Sequence, residues 1–507
     1  MIRLREREGA PEANRLEQLS LFPRPLSDRI LSASRLPHLV LGAMVLAFVL
    51  VFATLSYRMH VRLGTFGFDL GIFDQGIWLL SRFEEPFVTV RGLNFFGNHL
   101  NLTSVLLIPF YWLGAGAGFL NIVQVVAIAS GAIPLWLIAR ERLGDDWLAL
   151  AISAAYLLNP TLQWGTWWGF HPDALALTPF LFAYYFVIRR QWGWFAICIL
   201  LVLFAKEDTS LIVLGFGVFV ALKHHRKVGL LTSLAALAWL LAATKLLIPL
   251  ANGGEGAFYE DLYGPFGNDL ITIARNILFN PTQVVDLAVQ PERLTYFRQL
   301  LAPVAFLAIL APGLLAVIGP QLLANILSVQ PYTYQIRYQY SLLIAVVLFL
   351  ATIEAIHRLG TSMGRRRFLV GILGACALAS NVVLSPSPLS TQFQEGIWPQ
   401  ASPAVSIKKE GLALIPEDAS VSAAYYLVPQ LSHRKHIYEY PNPWSPANWG
   451  VRGEGTADPA SIEYLAVDTG LLGEDHEALY RDLTGPGGEF SVIWSDVGVE
   501  IAERVRP

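Results

Sequence analysis

The sequence predicts a mainly helical, polytopic membrane protein of about eleven spans followed by a small extracytoplasmic α/β domain. Three observations carry this. Of 507 residues, 54% are hydrophobic and only 15% charged, against roughly 25% charged in an ordinary soluble protein. Charge is unevenly placed: residues 386–507 hold 8 of the 36 Lys and Arg but 17 of the 39 Asp and Glu, so that part carries −9 and the rest +6. The basic residues before it gather into clusters separated by long apolar runs.

Those clusters set the expected topology, because Lys and Arg in short loops resist translocation. They lie at Arg3 to Arg35, Arg140 with Arg142, Arg189 with Arg190, Lys223 to Lys227 and Arg358 to Arg367, together 18 of the 36. With all of them cytoplasmic, every apolar stretch between neighbours crosses an even number of times. Residues 1–37, with seven Arg and no cleavable apolar core, read as a cytoplasmic tail rather than a signal peptide. The membrane domain covers 38–385, starting with a span near 38–57, an outer loop over 58–117 and a return span near 118–139. Segment 101–113, with Pro109 inside it, reads as interfacial or re-entrant. Two spans between 146 and 188 meet around Trp167, Trp168, His171 and Asp173.

Residues 192–222 are apolar except at their midpoint, Lys206, Glu207 and Asp208. One straight helix would bury three charges at mid-bilayer, at roughly 2.5 to 3.5 kcal/mol each. Two short helices bending outward at the charges avoid that. Spans near 229–248, 300–317, 320–331 and 338–356 follow, and a last one near 368–385 delivers residues 386–507 outside. After the linker-like Ser385-Pro386-Ser387-Pro388, that domain reads as a strand and helix over 419–427. Further strands are expected at 436–440, 464–468 and 490–494, with a helix near 474–483. Its 122 residues are enough for a core of their own.

This topology gathers the unusual polar residues on the outer side. The first loop supplies Asp69, Asp74 and Gln75, then Arg91, and Asn98 with His99. The next turns supply His171 with Asp173, and Lys206, Glu207 and Asp208. The last supplies Tyr332, Tyr334, Arg337, Tyr338 and Tyr340. Ionisable groups at membrane depth mark function by default. Each also has a plain structural use: Asp69 suits an N-cap before Leu70, and a lone His bonds loop backbone. The 206–208 charges neutralise one another, and the tyrosines and Trp164, Trp167 and Trp168 suit an interfacial belt. Asp69 and Asp74 lie about 140° apart on one continuous helix, so a paired-carboxylate site requires Asp69 to precede the helix. No basic block suits nucleic acid, and no Cys or Cys/His cluster spells zinc.

The ordered series FDLGIFDQ, GNH, FHPDALAL and AKEDTSLIV, with LIPEDASVSAAYYLVPQLSHRKHIYEYP in the C-terminal part, resembles the predicted membrane protein family called domain of unknown function 2079. That family is similar to the GT-C glycosyltransferases, polytopic enzymes that use polyprenyl-phosphate sugars at the outer face. The resemblance implies a cell-envelope transferase acting on an extracytoplasmic glycan, lipid or protein acceptor, with Asp69 as catalytic base and Asp74 second. Transfer needs a carboxylate for the acceptor proton and cations for the departing phosphate. Arg337 is favoured for the phosphate, with Lys206 and Arg91 as alternatives. Glu207, Asp208, His171, His99, Gln75 and Tyr338 complete the expected substrate-binding set. Attack opposite the phosphate inverts the anomeric centre. Asp74, Glu207, Asp208 and His99 also suit Mg²⁺ or Mn²⁺ as oxygen-rich ligands, although no spacing spells a metal site. A transporter or lipid flippase, whose sites also use broken helices, and a non-catalytic assembly protein are the rival readings.

Overall fold

The computed structural model describes residues 35–255, 258–267, 269–448, 455 and 457–505. The expected cytoplasmic tail falls almost wholly outside them. The chain enters through α1 (Leu36–Val61) and crosses the first loop to α2 (Ala117–Leu143). Short apolar helices at Asp146–Leu157 and Pro160–Trp167 precede α3 (Asp173–Ile188), α4 (Trp192–Ala205) and α5 (Thr209–Lys223). Then come α6 (Arg226–Ala251), α7 (Gln339–Leu359) and α8 (Met363–Leu384). Among the described residues α1, α2, α6, α7 and α8 are long and apolar enough to cross a bilayer. The protein is a multi-pass membrane protein.

Burial separates two kinds of span. α1 and α8 expose leucines such as Leu46, Leu50 and Leu378, as helices facing lipid do. α7 is buried along nearly its whole length, from Leu342 to Ile356, and forms the axis of the bundle. Helices in lipid associate by close packing rather than by expelling water, and α5 meets α6 accordingly. A Cβ on Gly229 would stand 2.1 Å from the Ala221 backbone nitrogen, so only glycine admits this approach.

The break expected at 206–208 is present: α4 ends at Ala205, Lys206 is extended, and α5 starts at Thr209. Of the spans expected near 300–317 and 320–331, the second is present as a short apolar helix and the first is broken. Helix Pro291–Leu301 gives way to short turns through Pro303 and Pro312, and helix Gly319–Leu327 follows. Prolines remove helical donors, and Ala305 and Phe306 adopt left-handed backbone (φ 53° and 57°).

Four of the basic clusters are represented at one end of the bundle. Arg189 pairs with Glu141 and Arg142 with Glu354, while Arg366 donates to the Leu143 carbonyl at 2.7 Å. His224, next to Lys223, senses the Arg142 charge. Asp173 and Gln339 begin α3 and α7 at the opposite end, about 24 Å away for helices of this length. The polar residues of the loops gather there.

Beyond the bundle the chain forms a five-stranded sheet in the order β4-β3-β5-β7-β6; a two-residue hairpin, β1 (Phe87–Val88) and β2 (Leu93–Asn94), lies in the first loop. β3 (Val421–Ala423) runs parallel to β4 (Ile437–Glu439) and β5 (Tyr464–Asp468). β7 (Val499–Arg504) is antiparallel to β5 and to β6 (Phe490–Asp496). Helix Glu474–Thr484 falls where expected. β7 was not anticipated, although Val499 and Ile501 are buried beside half-buried Glu500. One side of the sheet has its own core, including Leu465, Tyr480 and Phe490. The other shares a core with the first loop: Val421, Leu427, Val428 and Ile437 pack with Leu70, Ile72, Phe73 and Ile77.

Candidate functional site

Asp69 sits in a locally strained turn. Phe68 is extended, Asp69 has φ 71° and ψ −89°, and regular α-helix begins only at Ile72. Asp69 therefore precedes the helix and makes no capping hydrogen bond. A non-glycine residue held this way costs on the order of 1–3 kcal/mol and persists only where its surroundings impose it. Here they do. The Gly67 amide donates to the Tyr425 carbonyl at 2.7 Å, and a Cβ on Gly67 would stand 2.8 Å from the Val428 Cβ. The C-terminal segment thus presses on the FGFDLG turn from one side, and Asp69 takes the other.

There it lines a cavity of about 290 Å³ with His99, His171, Asp173, Lys206 and Tyr338. Trp168 Nε1 donates to Asp69 Oδ2 at 3.2 Å, and His171 Nε2 lies 3.5 Å from Oδ1. Burial disfavours the Asp69 charge, but His171 nearby, the Trp168 hydrogen bond and His99 outweigh that and hold the carboxyl below the usual Asp value. Trp168 and Tyr338 meet edge to face at 4.4 Å, and Tyr332 stacks on Tyr340 at 5.7 Å. These rings wall the cavity instead of forming a lipid belt.

Lys206 is 3% exposed and balanced by Asp173 at 3.6 Å and Asp208 at 3.3 Å. A buried ammonium needs such partners. Glu207 lies behind the cavity rather than in it, with Oε1 2.7 Å from His99 Nδ1 and Oε2 accepting from the Leu100 amide at 2.9 Å. Gln124 on α2 was not anticipated. Its Oε1 accepts from the His171 amide at 2.6 Å and its Nε2 donates to the Gly169 carbonyl. It builds the turn that presents His171. An amide inside the apolar run IVQVVAIA was the signal for it.

The other expected residues are not brought to this cavity. Asp74 is buried and accepts from Tyr111 Oη and Ser432 Oγ, each at 2.6 Å, with His433 Nε2 at 3.2 Å. It points to the C-terminal segment, whereas Asp69, in the turn before the helix, points to the cavity. Gln75 donates to Thr89 and to the carbonyls of Arg434 and Lys435. Arg91 donates to the Asn448 carbonyl and stands over the Phe68 ring, behind the cavity wall. Arg337 lines a second cavity, of about 850 Å³, and lies over the Trp164 ring at 4.6 Å. The stretch 331–340, two short 3-10 turns joined by a bend, separates the two cavities, sending Tyr332, Tyr338 and Tyr340 to one side and Gln335, Ile336 and Arg337 to the other. Among the described residues no three His, Cys, Asp or Glu side chains are grouped to hold a metal ion. Of the alternative ligands Asp74, Glu207, Asp208 and His99, Glu207 and His99 meet each other, and Asp74 lies apart against Ser432 and His433.

Fold and site together define a polytopic membrane protein with a polar, aromatic-walled cavity at one end of its helices. In three dimensions the chain is similar to ArnT from Cupriavidus metallidurans, whose crystal structure is bound to undecaprenyl phosphate. The TM-score is 0.51, identity is 12%, and the match covers 93% of this chain and 98% of that one. At this identity the likeness is one of fold. The chain belongs to the predicted membrane protein family DUF2079, whose sequence model matches residues 59–468. No curated protein matches this sequence.

Proposed function

We propose that this protein is a GT-C-type glycosyltransferase that moves a sugar from a polyprenyl-phosphate carrier to an extracytoplasmic acceptor with inversion. The observation that carries the reading is Asp69, held ionised by His171 and Trp168 in a cavity that also contains the buried cation Lys206. An ionised carboxylate takes the acceptor hydroxyl's proton. Lys206 lies against the departing phosphate and offsets its charge, a role the sequence favoured for Arg337. The aromatic walls exclude water from the reacting carbon. The fold shared with a protein solved with undecaprenyl phosphate bound supports a lipid-phosphate substrate.

The site opens at the outer face, the basic ends of α2, α3 and α7 face the cytoplasm, and the C-terminal sheet is extracytoplasmic. A cysteine introduced at exposed Leu471 should react with an impermeant thiol reagent on intact cells, and protection there would reverse this orientation.

Purified protein given labelled polyprenyl-phosphate sugar should release free lipid phosphate. Asp69→Asn should lower turnover by about 10²–10⁴-fold while leaving thermal unfolding unchanged. Full turnover in Asp69→Asn rejects the base assignment. Lipid scrambling or uptake without sugar transfer selects the transporter or flippase reading, which the helix broken at Lys206 to Asp208 favours.

A further inference from the structure

Glu207 has no place on the cavity surface, yet it is buried to 1% exposure and both its oxygens are committed to one short stretch of the first loop. Oε1 faces His99 Nδ1 and Oε2 takes the next amide, Leu100. A carboxylate facing one ring nitrogen keeps a proton there and fixes the ring's orientation. Nδ1 being turned to Glu207, ring geometry puts Nε2 on the opposite side, and His99 lines the cavity with Asp69 and Lys206. The charged groups around it are Glu207, Lys206 and Asp208 from the break between α4 and α5, and Asp69 from the first loop.

Transfer from a lipid phosphate builds negative charge on the departing oxygen, which a proton donor in the cavity neutralises further than Lys206 alone, and Asp69 serves only the acceptor. We propose that His99 is the general acid that protonates the departing lipid phosphate, with Glu207 as the positioning residue that holds its ring. The inference rests on the transferase reading above. In the step, the acceptor oxygen bonds to the anomeric carbon and its proton passes to Asp69. The bond from that carbon to the phosphate oxygen breaks, leaving its electron pair on the oxygen. His99 gives that oxygen its Nε2 proton. Solvent reprotonates His99 and removes the proton from Asp69, so the products are the glycoside and the lipid phosphate monoester.

Two measurements on the full-length protein test this. Peptide-resolved modification by diethyl pyrocarbonate at one fixed pH reads how firmly the His99 ring is held. Glu207→Gln should raise the His99 modification rate several-fold; an unchanged rate overturns the positioning role. With labelled polyprenyl-phosphate sugar, an acid gives kcat/KM an alkaline limb. His99→Asn should cut kcat/KM about 10²-fold and abolish that limb, whereas Glu207→Gln should lower kcat/KM and keep the limb. A limb that survives in His99→Asn overturns the acid assignment while leaving the transferase reading standing. No turnover by the wild-type protein overturns that reading, and the acid role with it.

Discussion

Asp69 shows how one residue's chemistry is set by neighbours distant in sequence. Its partners Trp168 and His171 lie about a hundred positions away, and the segment pressing on its turn comes from residues 425–428. Its carboxyl is held below 3.8, the ordinary Asp value, with His171 the leading favourable neighbour against burial. A group depressed in this way stays charged above its folded value and loses its charge as pH falls through it. The acid limb of kcat/KM should therefore lie below 3.8 in the wild-type protein. In His171→Ala burial prevails and the limb should move to higher pH; a limb that does not move would separate His171 from Asp69. Asp69 was legible in the sequence because an acid beside a membrane span is expensive. Its separation from Asp74 was legible only as a condition, since helical spacing shows where two acids cannot meet and not which one turns inward.

At the scale of elements, breaks matter more than spans. The interruption after Ala205 brings Lys206 to the cavity and Glu207 behind His99, and three consecutive charges in an apolar run announced it. The stretch after Leu301, expected as a span near 300–317, breaks into short turns, because an apolar run reports burial while its prolines decide the path. The crossing of α5 and α6 was silent in the sequence, where Gly229 is only one glycine among 41. Gly229→Val should force these helices apart and lower stability by about 1–3 kcal/mol, read as an earlier thermal transition in detergent. An unchanged transition would show that the contact adjusts freely. In the stretch 331–340 the bend between two 3-10 turns sends Tyr334 to Arg337 to one cavity and Tyr338 to Tyr340 to the other, so Arg337 is set apart from Asp69 although Tyr338 adjoins it.

Across the whole molecule, the C-terminal sheet completes the loop that carries Asp69. The two share one core and meet at the buried Asp74, which Ser432 and His433 engage from the sheet side. Burial disfavours both charges, but Asp74 and His433 stabilise one another, so the carboxyl is held below 3.8 and the imidazole above 6.5; Arg82 works against the imidazole. The signs define a window. The Asp74 contribution is present above 3.8 and lost as pH falls through its depressed value, while the His433 contribution is full below 6.5 and lost as pH rises through its raised one. Docking should be strongest between those limits. Thermal stability should fall as pH rises above 6.5 and through the raised His433 value, and His433→Asn should flatten that fall. An equally steep fall in the variant would assign it to other groups.

The sequence by itself determined the membrane-spanning character, the uneven charge, the broken helix at 206–208 and the family, because apolar run length, net charge and motif order are written along one dimension. Which polar side chains share a cavity was decided by tertiary structure alone. Gln124, the tyrosine walls and the separation of Asp74, Gln75, Arg91 and Arg337 from Asp69 depend on the direction in which each backbone segment turns when distant segments pack against it. Those contacts join residues up to several hundred positions apart, and no local spacing encodes them.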